Sequence, residues 1–181
     1  MRVSPVFFIS LASAALASPA FAQVSVTTFG ATDAKACYDA ANDGFSTDTD
    51  NCDKALRDGT LSRRDRQATR VNRGIVFNRA GRYSEAIADF DAALDDNPVL
   101  AEAWLNRGNS MLLTGRPDDA IENYQASLDN GISKVHIAWY NIGLAYEAKK
   151  DRAKAREAYA KALEASPEFT LAQSKLAEMG G

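Results

Sequence analysis

The chain has 181 residues, with 24 acidic against 21 basic side chains, a formal net charge of −3 and 46% hydrophobic residues. This balance supplies no basic footprint for nucleic acid or anionic lipid, so neither is an expected partner. Length and apolar content suit one ordinary globular domain.

First in the chain stands "MRVSPVFFISLASAALASPAFAQ", with Arg2 near its start, an apolar run from Val6 to Ala17 and the small-residue pattern Ala20-Phe21-Ala22. These are the three regions of a secretory signal peptide. The run is shorter than the roughly 20 apolar residues of a spanning helix, and Ser10 and Ser13 dilute it. Residues 1–22 are therefore expected to be removed, which leaves no membrane anchor. The mature chain would begin at Gln23, carry a charge of about −4 without Arg2, and reside in the periplasm or outside a bacterial cell. Residues 23–32, "QVSVTTFGAT", read as a loose leader.

Export decides how the cysteines are read. Cys37 and Cys52 are the only two, and an oxidising compartment favours a disulfide between them, which closes a loop of a size that stabilises by about 3 kcal/mol. A zinc site lacks ligands, because the single histidine, His136, lies far along the chain. "DAKACYDAANDG" and "TDNCDKALRDG" look like two short helices. Residues 23–66 are thus expected to hold the leader and a degenerate, disulfide-stapled helix pair.

From residue 67 the chain repeats itself. Gly74, Gly108 and Gly143 are 34 and 35 residues apart (108 − 74 and 143 − 108), and two further markers keep phase with them: Ala86, Ala120 and Ala155, then Phe90, Tyr124 and Tyr159. A period of this length signals stacked helix pairs. The small residues are expected where antiparallel helices approach closest, and the aromatics in the gap between one pair and the next. Asn97-Pro98 and Ser166-Pro167 read as helix starts, and Gly81, Gly115 and Gly131 as helix stops. At the end of the chain Phe169, Leu171, Ala172, Leu176 and Met179 share one face of a last helix, with Gly180 and Gly181 fraying.

These residues resemble the tetratricopeptide repeat family, whose 34-residue pattern places Trp, Leu, Gly, Tyr, Ala, Phe, Ala and Pro at fixed points. The first repeat, 67–100, keeps Gly74, Phe77, Ala86, Phe90, Ala93 and Pro98, with Arg70 and Arg73 in place of Trp and Leu. The second, 101–134, keeps Trp104, Gly108, Ala120 and Tyr124; the third, 136–169, keeps Trp139, Gly143, Tyr146, Ala155, Tyr159, Ala162 and Pro167. The resemblance implies an all-α, right-handed superhelical solenoid of antiparallel helix pairs: three repeats, the degenerate N-terminal pair and a capping helix over 168–179.

No catalytic constellation is present. The acidic run "STDTDNCD" fails as a calcium loop, because from Asp48 the sixth position is Asp53 and the twelfth is Gly59. "GNSMLLTGRP" lacks the Lys-Ser or Lys-Thr of a phosphate loop. His136 has no partner fixed by the sequence and reads as an exposed residue at a helix start. No cofactor and no metal are expected, and the chain does not read as an enzyme.

A solenoid of helix pairs instead offers a concave groove lined by the first helix of each pair. The sixth position of each repeat is Asn72, Asn106 and Asn141, a row of amides able to pair with the backbone of an extended peptide or to bond between neighbouring helices. Val71, Ile75, Asn78 and Arg79 are expected beside them in the first repeat, Leu105, Asn109, Leu112 and Leu113 in the second, and Tyr140, Leu144 and Glu147 in the third. One of Leu112 and Leu113 should face the core and leave the other as an exposed apolar spot. Arg73 and Arg107 are expected to lay their stems on the helix surface and reach for solvent. Some family members clamp a chaperone's terminal carboxylate with Lys and Arg; the matching positions hold Val71, Ile75, Asn106, Ile137 and Asn141, so only Asn106 agrees. The expected function is that of an exported, non-enzymatic module binding a protein or peptide partner in its groove, or alternatively a scaffold subunit of a larger cell-envelope complex.

Overall fold

The computed structural model describes residues 21–28 and 32–180. Of the signal expected over residues 1–22, residues 1–20 lie outside them, as does Gly181; Gly180, expected to fray with it, is helical. Among the described residues there are nine helices and no strand: α1 (Thr32–Asn42), α2 (Asp50–Arg57), α3 (Arg63–Arg79), α4 (Tyr83–Asp96), α5 (Ala101–Leu113), α6 (Pro117–Asp129), α7 (Val135–Ala148), α8 (Arg152–Ala165) and α9 (Thr170–Gly180). Helices α3/α4, α5/α6 and α7/α8 pack as pairs, and each pair stacks on the next. The chain is an all-α solenoid, preceded by the short pair α1/α2 and closed by α9 against α8.

Local chemistry places the turns. Inside each pair the first helix ends on a residue with left-handed backbone: Gly81 at φ 74°, Gly115 at φ 76° and, in the third pair, Lys150 at φ 61°. The residue after it donates its amide back to the helix, as Arg82 does to Phe77 and Asp151 to Tyr146, both at 2.9 Å, so the last carbonyls are satisfied. Between pairs the prolines act differently from the sequence reading. Asn97 and Ser166 are the C-terminal caps of α4 and α8, at φ −151° and −153°. A proline pushes the preceding residue into extended backbone, so each dipeptide stops one helix and the next begins only at Ala101 or Thr170.

Packing inside a pair rests on the repeated glycine. A Cβ at Gly74 would stand 2.6 Å from the Phe90 ring, one at Gly108 would stand 2.5 Å from the Tyr124 ring, and one at Gly143 would collide with Tyr159. Each ring therefore fills the crossing within its own pair, not the gap to the next pair as the spacing suggested. Phe90, Tyr124 and Tyr159 are all fully buried, together with Ala86, Ala120 and Ala155.

The N-terminal pair is fastened twice. Cys37 of α1 and Cys52 of α2 are at bonding distance, with Cα atoms 4.7 Å apart, and both are fully buried. Arg73 of α3 meets Asp89 of α4 with two nitrogens at 2.6 and 2.7 Å and Asp53 of α2 at 2.6 Å. Arg107 likewise meets Asp91 at 2.6 Å and Asn123 at 3.0 Å. Neither arginine reaches for solvent, because aspartates on the facing helices lie within reach of their forks. Burial pushes the Asp89 carboxyl above its usual range while Arg73 draws it back, and the same pair holds the guanidinium above its ordinary value. At the other end Ala172 takes the buried seat on α8, Phe169, Leu176 and Met179 pack around it, and Leu171, one residue away on the wheel, turns out 40% exposed.

Two predictions test this packing. Gly108→Ala must displace a buried tyrosine ring and should cost about 1–3 kcal/mol in urea unfolding. Arg73→Leu strands a buried carboxylate and should cost about 3 kcal/mol at pH 7. Without Arg73 the Asp89 pKa rises further above its unfolded value, and a protonated Asp89 needs no counter-charge. The deficit relative to wild type should therefore shrink as the pH falls through the carboxylate range.

Candidate functional site: an asparagine-lined groove

Helices α3, α5 and α7 line one side of the solenoid, and each presents an asparagine there. Their side chains are completely buried, with Asn72, Asn106 and Asn141 all at zero exposure. What buries them is the chain's own leader. Residues 21–28 carry no helical structure and run along the groove.

The contact is a ladder with a two-residue rung. Asn72 donates from Nδ2 to the Val26 carbonyl at 2.8 Å and accepts from the Val26 amide at 2.9 Å. Asn106 does the same with Val24, at 2.8 and 3.4 Å. Asn141 donates to the Ala22 carbonyl at 3.0 Å, and Asn109 joins it at 3.3 Å. One residue pairing through both its N–H and its C=O, with its second neighbours doing likewise, is the pattern of an extended strand at a sheet edge; here side-chain amides supply the edge. The leader runs from the third repeat toward the first. Its even-numbered residues face the helices, with Val24 only 5% exposed. Phe21, Gln23 and Ser25 line a cavity of about 550 Å³ shared with Asn42, Arg79 and Leu113.

The remaining asparagines tie helix to helix. Ser110 donates its hydroxyl to Asn78 Oδ1 at 2.8 Å. Asn109 Oδ1 accepts from the Tyr124 hydroxyl at 3.0 Å and from Asn141 Nδ2 at 2.9 Å; burial holds that phenol well above its ordinary pKa. Both readings of the amide row are thus realised at once. Asn72 and Asn106 hold an extended backbone, Asn78 bridges neighbours, and Asn109 and Asn141 do both. Asn141 Oδ1 has no hydrogen-bond partner among the described residues.

Other groove candidates are placed differently from the sequence reading. Val71, Ile75, Leu105, Leu144 and Tyr140 are buried in the apolar clusters and offer no free surface. Leu112 is core as well, and Leu113 is the half-buried one at the cavity wall. The Arg79 guanidinium is consumed by the carbonyls of Ala40, Ala41 and Ser46, where it closes the end of α1. Glu147 is taken by Lys175 of α9 at 2.9 Å. His136 packs edge-on against Phe169 with ring centroids 4.9 Å apart, and burial lowers its pKa. Residues 23–28 are not a loose leader, because Val24 and Val26 each have both polar backbone groups matched by a groove amide and Thr28 donates its hydroxyl to the Ala34 carbonyl at 3.1 Å. The sequence does carry a signal for this: Val24-Ser25-Val26 alternates apolar and polar with period two.

No helix among the described residues is long and apolar enough to cross a membrane, and none of their His, Cys, Asp and Glu side chains gather in threes as metal ligands would.

A family model described as tetratricopeptide repeat matches residues 71–133 and 112–168, which together span more than half of the chain. No curated protein matches. Among solved structures, the first TPR of Spaghetti (RPAP3) bound to the HSP90 peptide SRMEEVD is 19% identical, with a TM-score of 0.58 over 63% of this chain and 90% of that one. The second TPR domain of human RPAP3, in complex with the HSP70 peptide SGPTIEEVD, is 19% identical with a TM-score of 0.58 over 64% and 97%. MamA is 22% identical with a TM-score of 0.60 over 71% and 72%. Likeness at these identities is likeness of fold.

Asn72→Ala should release Val26 without disturbing the helix stack. Its amide should exchange about tenfold faster, matching roughly 1 kcal/mol per lost bond, while global stability falls by no more than about 2 kcal/mol. Asn78→Ala should lower global stability and leave Val26 protected.

Proposed function

Because the chain belongs to the tetratricopeptide repeat family, we propose that it is an exported, non-enzymatic module that binds a partner polypeptide in extended form along its asparagine-lined groove. The observation that carries this reading is the ladder itself: Asn72 and Asn106 each match the N–H and C=O of one residue of an extended chain. Backbone pairing of this kind gives affinity for strands without demanding a particular sequence. The peptides held by the Spaghetti and RPAP3 domains support the same use of the fold.

Export is supported by the three-part N-terminal signal and by Cys37 and Cys52 standing at bonding distance, a pairing suited to an oxidising compartment. Scission after Ala22 would have a direct effect on the groove. The leader from Gln23 would keep the rungs at Val24 and Val26, while Asn109 and Asn141 would lose the Ala22 carbonyl. Buried amides left unpaired cost about 1–3 kcal/mol each, so that end of the groove would favour an incoming backbone.

Occupancy of the groove also favours a second reading, in which partners meet only the outer face and the protein is a scaffold subunit. A photo-reactive residue at Leu113, on the cavity wall, should capture a polypeptide in intact cells, and the same residue at exposed Gln125 on α6 should not. Capture at Gln125 alone would turn the assignment to the scaffold.

A further inference from the structure

Resting on the reading that the groove binds an extended polypeptide, we propose that the leader is a tethered stand-in for the partner. The partner segment takes the same two-residue register, runs from the third repeat toward the first, places small or β-branched apolar side chains where Ala22, Val24 and Val26 sit, and binds by displacing the leader.

Four observations fix this partner chemistry. The rungs address one residue in two, since Asn141, Asn106 and Asn72 meet Ala22, Val24 and Val26. Those residues turn toward the apolar clusters, where Ala22, Val24 and Val26 pack, and a charged side chain would lose its hydration there. The residues between them, Gln23 and Ser25, border the open cavity, where Ser25 donates its hydroxyl to Asn42 Oδ1 at 2.7 Å, so polar side chains suit those positions. Finally, the amides that hold the backbone are neutral, so the ladder selects neither a charged side chain nor a charged chain end.

The leader is also an imperfect occupant. In the uncleaved chain its third rung is half made, since Asn141 Nδ2 reaches the Ala22 carbonyl but Asn141 Oδ1, on a side chain with no exposure, receives no donor; scission after Ala22 would leave that rung with no backbone at all. The other two rungs show what is missing there, an N–H from the residue whose carbonyl is already bound. A segment able to deliver that N–H completes all three rungs. That extra bond offsets part of the advantage the leader draws from its high effective concentration.

The test uses the full chain and a synthetic peptide with the sequence of residues 21–28, FAQVSVTT, blocked at both ends. Titration against wild type and against the double variant Val24→Asp, Val26→Asp should give at least tenfold tighter binding to the variant, whose own leader no longer seats. A scrambled peptide of the same composition in which no two valines stand two residues apart, FAVVQSTT, should bind neither. Equal affinity for wild type and variant, or equal binding of the scrambled peptide, overturns the proposal. Should the variant misfold, hydrogen exchange on wild type decides: Val24 and Val26 amides should be protected and should lose that protection as FAQVSVTT saturates the groove, and retained protection overturns displacement. A concentration-dependent dimer abolished by the leader substitutions would seat a second copy's leader in the groove and overturn the tether. Failure here with Leu113 still capturing a polypeptide leaves the groove reading intact; loss of both removes it.

Discussion

Glycine against an aromatic ring is the contact on which the rest of the molecule depends. At Gly74, Gly108 and Gly143 there is no space for even a methyl group, so each helix pair closes to the same depth on a buried ring. Pairs of equal depth stack with equal steps. Equal steps bring Asn72, Asn106 and Asn141 into a line on the inner side, where side chains converge more closely than the helix axes behind them. Neighbouring helices stand about 8–10 Å apart, and two residues of extended chain cover about 6.6–6.8 Å. Asparagine side chains pointing inward close that difference, which is why a strand can be read at one rung per repeat.

The same geometry explains why the groove's asparagines are polar yet buried. An amide has both a donor and an acceptor, and in the first two rungs both are used on one residue of the leader. Emptying the groove would expose amides positioned to serve each other only partly, as Asn109 and Asn141 do. The groove is therefore a site whose resting state is filled. An empty groove would leave those amides to water, so a second backbone in the same register is the substitute that reproduces the leader's bonds.

Much of this architecture was legible in the letters. Period, phase and small-to-aromatic alternation were enough to expect an all-α solenoid, and Gly81, Gly115 and Gly131 announced their turns because positive φ is cheapest for glycine. Lys150 shows where that signal fails: it adopts the same backbone at φ 61° without the letter that advertises it. The groove was legible only as a surface. Asn72 and Asn106 were visible as amides facing inward, but their partner was not, because a six-letter stretch with one period-two alternation is weak evidence for anything. Side chains such as Arg79 and Glu147 were misplaced for a related reason. Their fates depend on Ser46 and Lys175, contributed by elements far away in sequence, and spacing within one helix carries no information about them.

The leader's bonds join residues that are remote along the chain: Val24 to Asn106 spans 82 positions, and Ala22 to Asn141 spans 119. Contacts so distant form late, because the intervening loop must be ordered before they return anything. During synthesis, the segment that emerges first is thus the last to find its seat. Until α7 has folded, the Ala22 carbonyl has only Asn109 of α5 to meet, and Asn141 brings it the closer amide. Order of folding, set by topology alone, leaves the groove open while the helices that line it are still assembling.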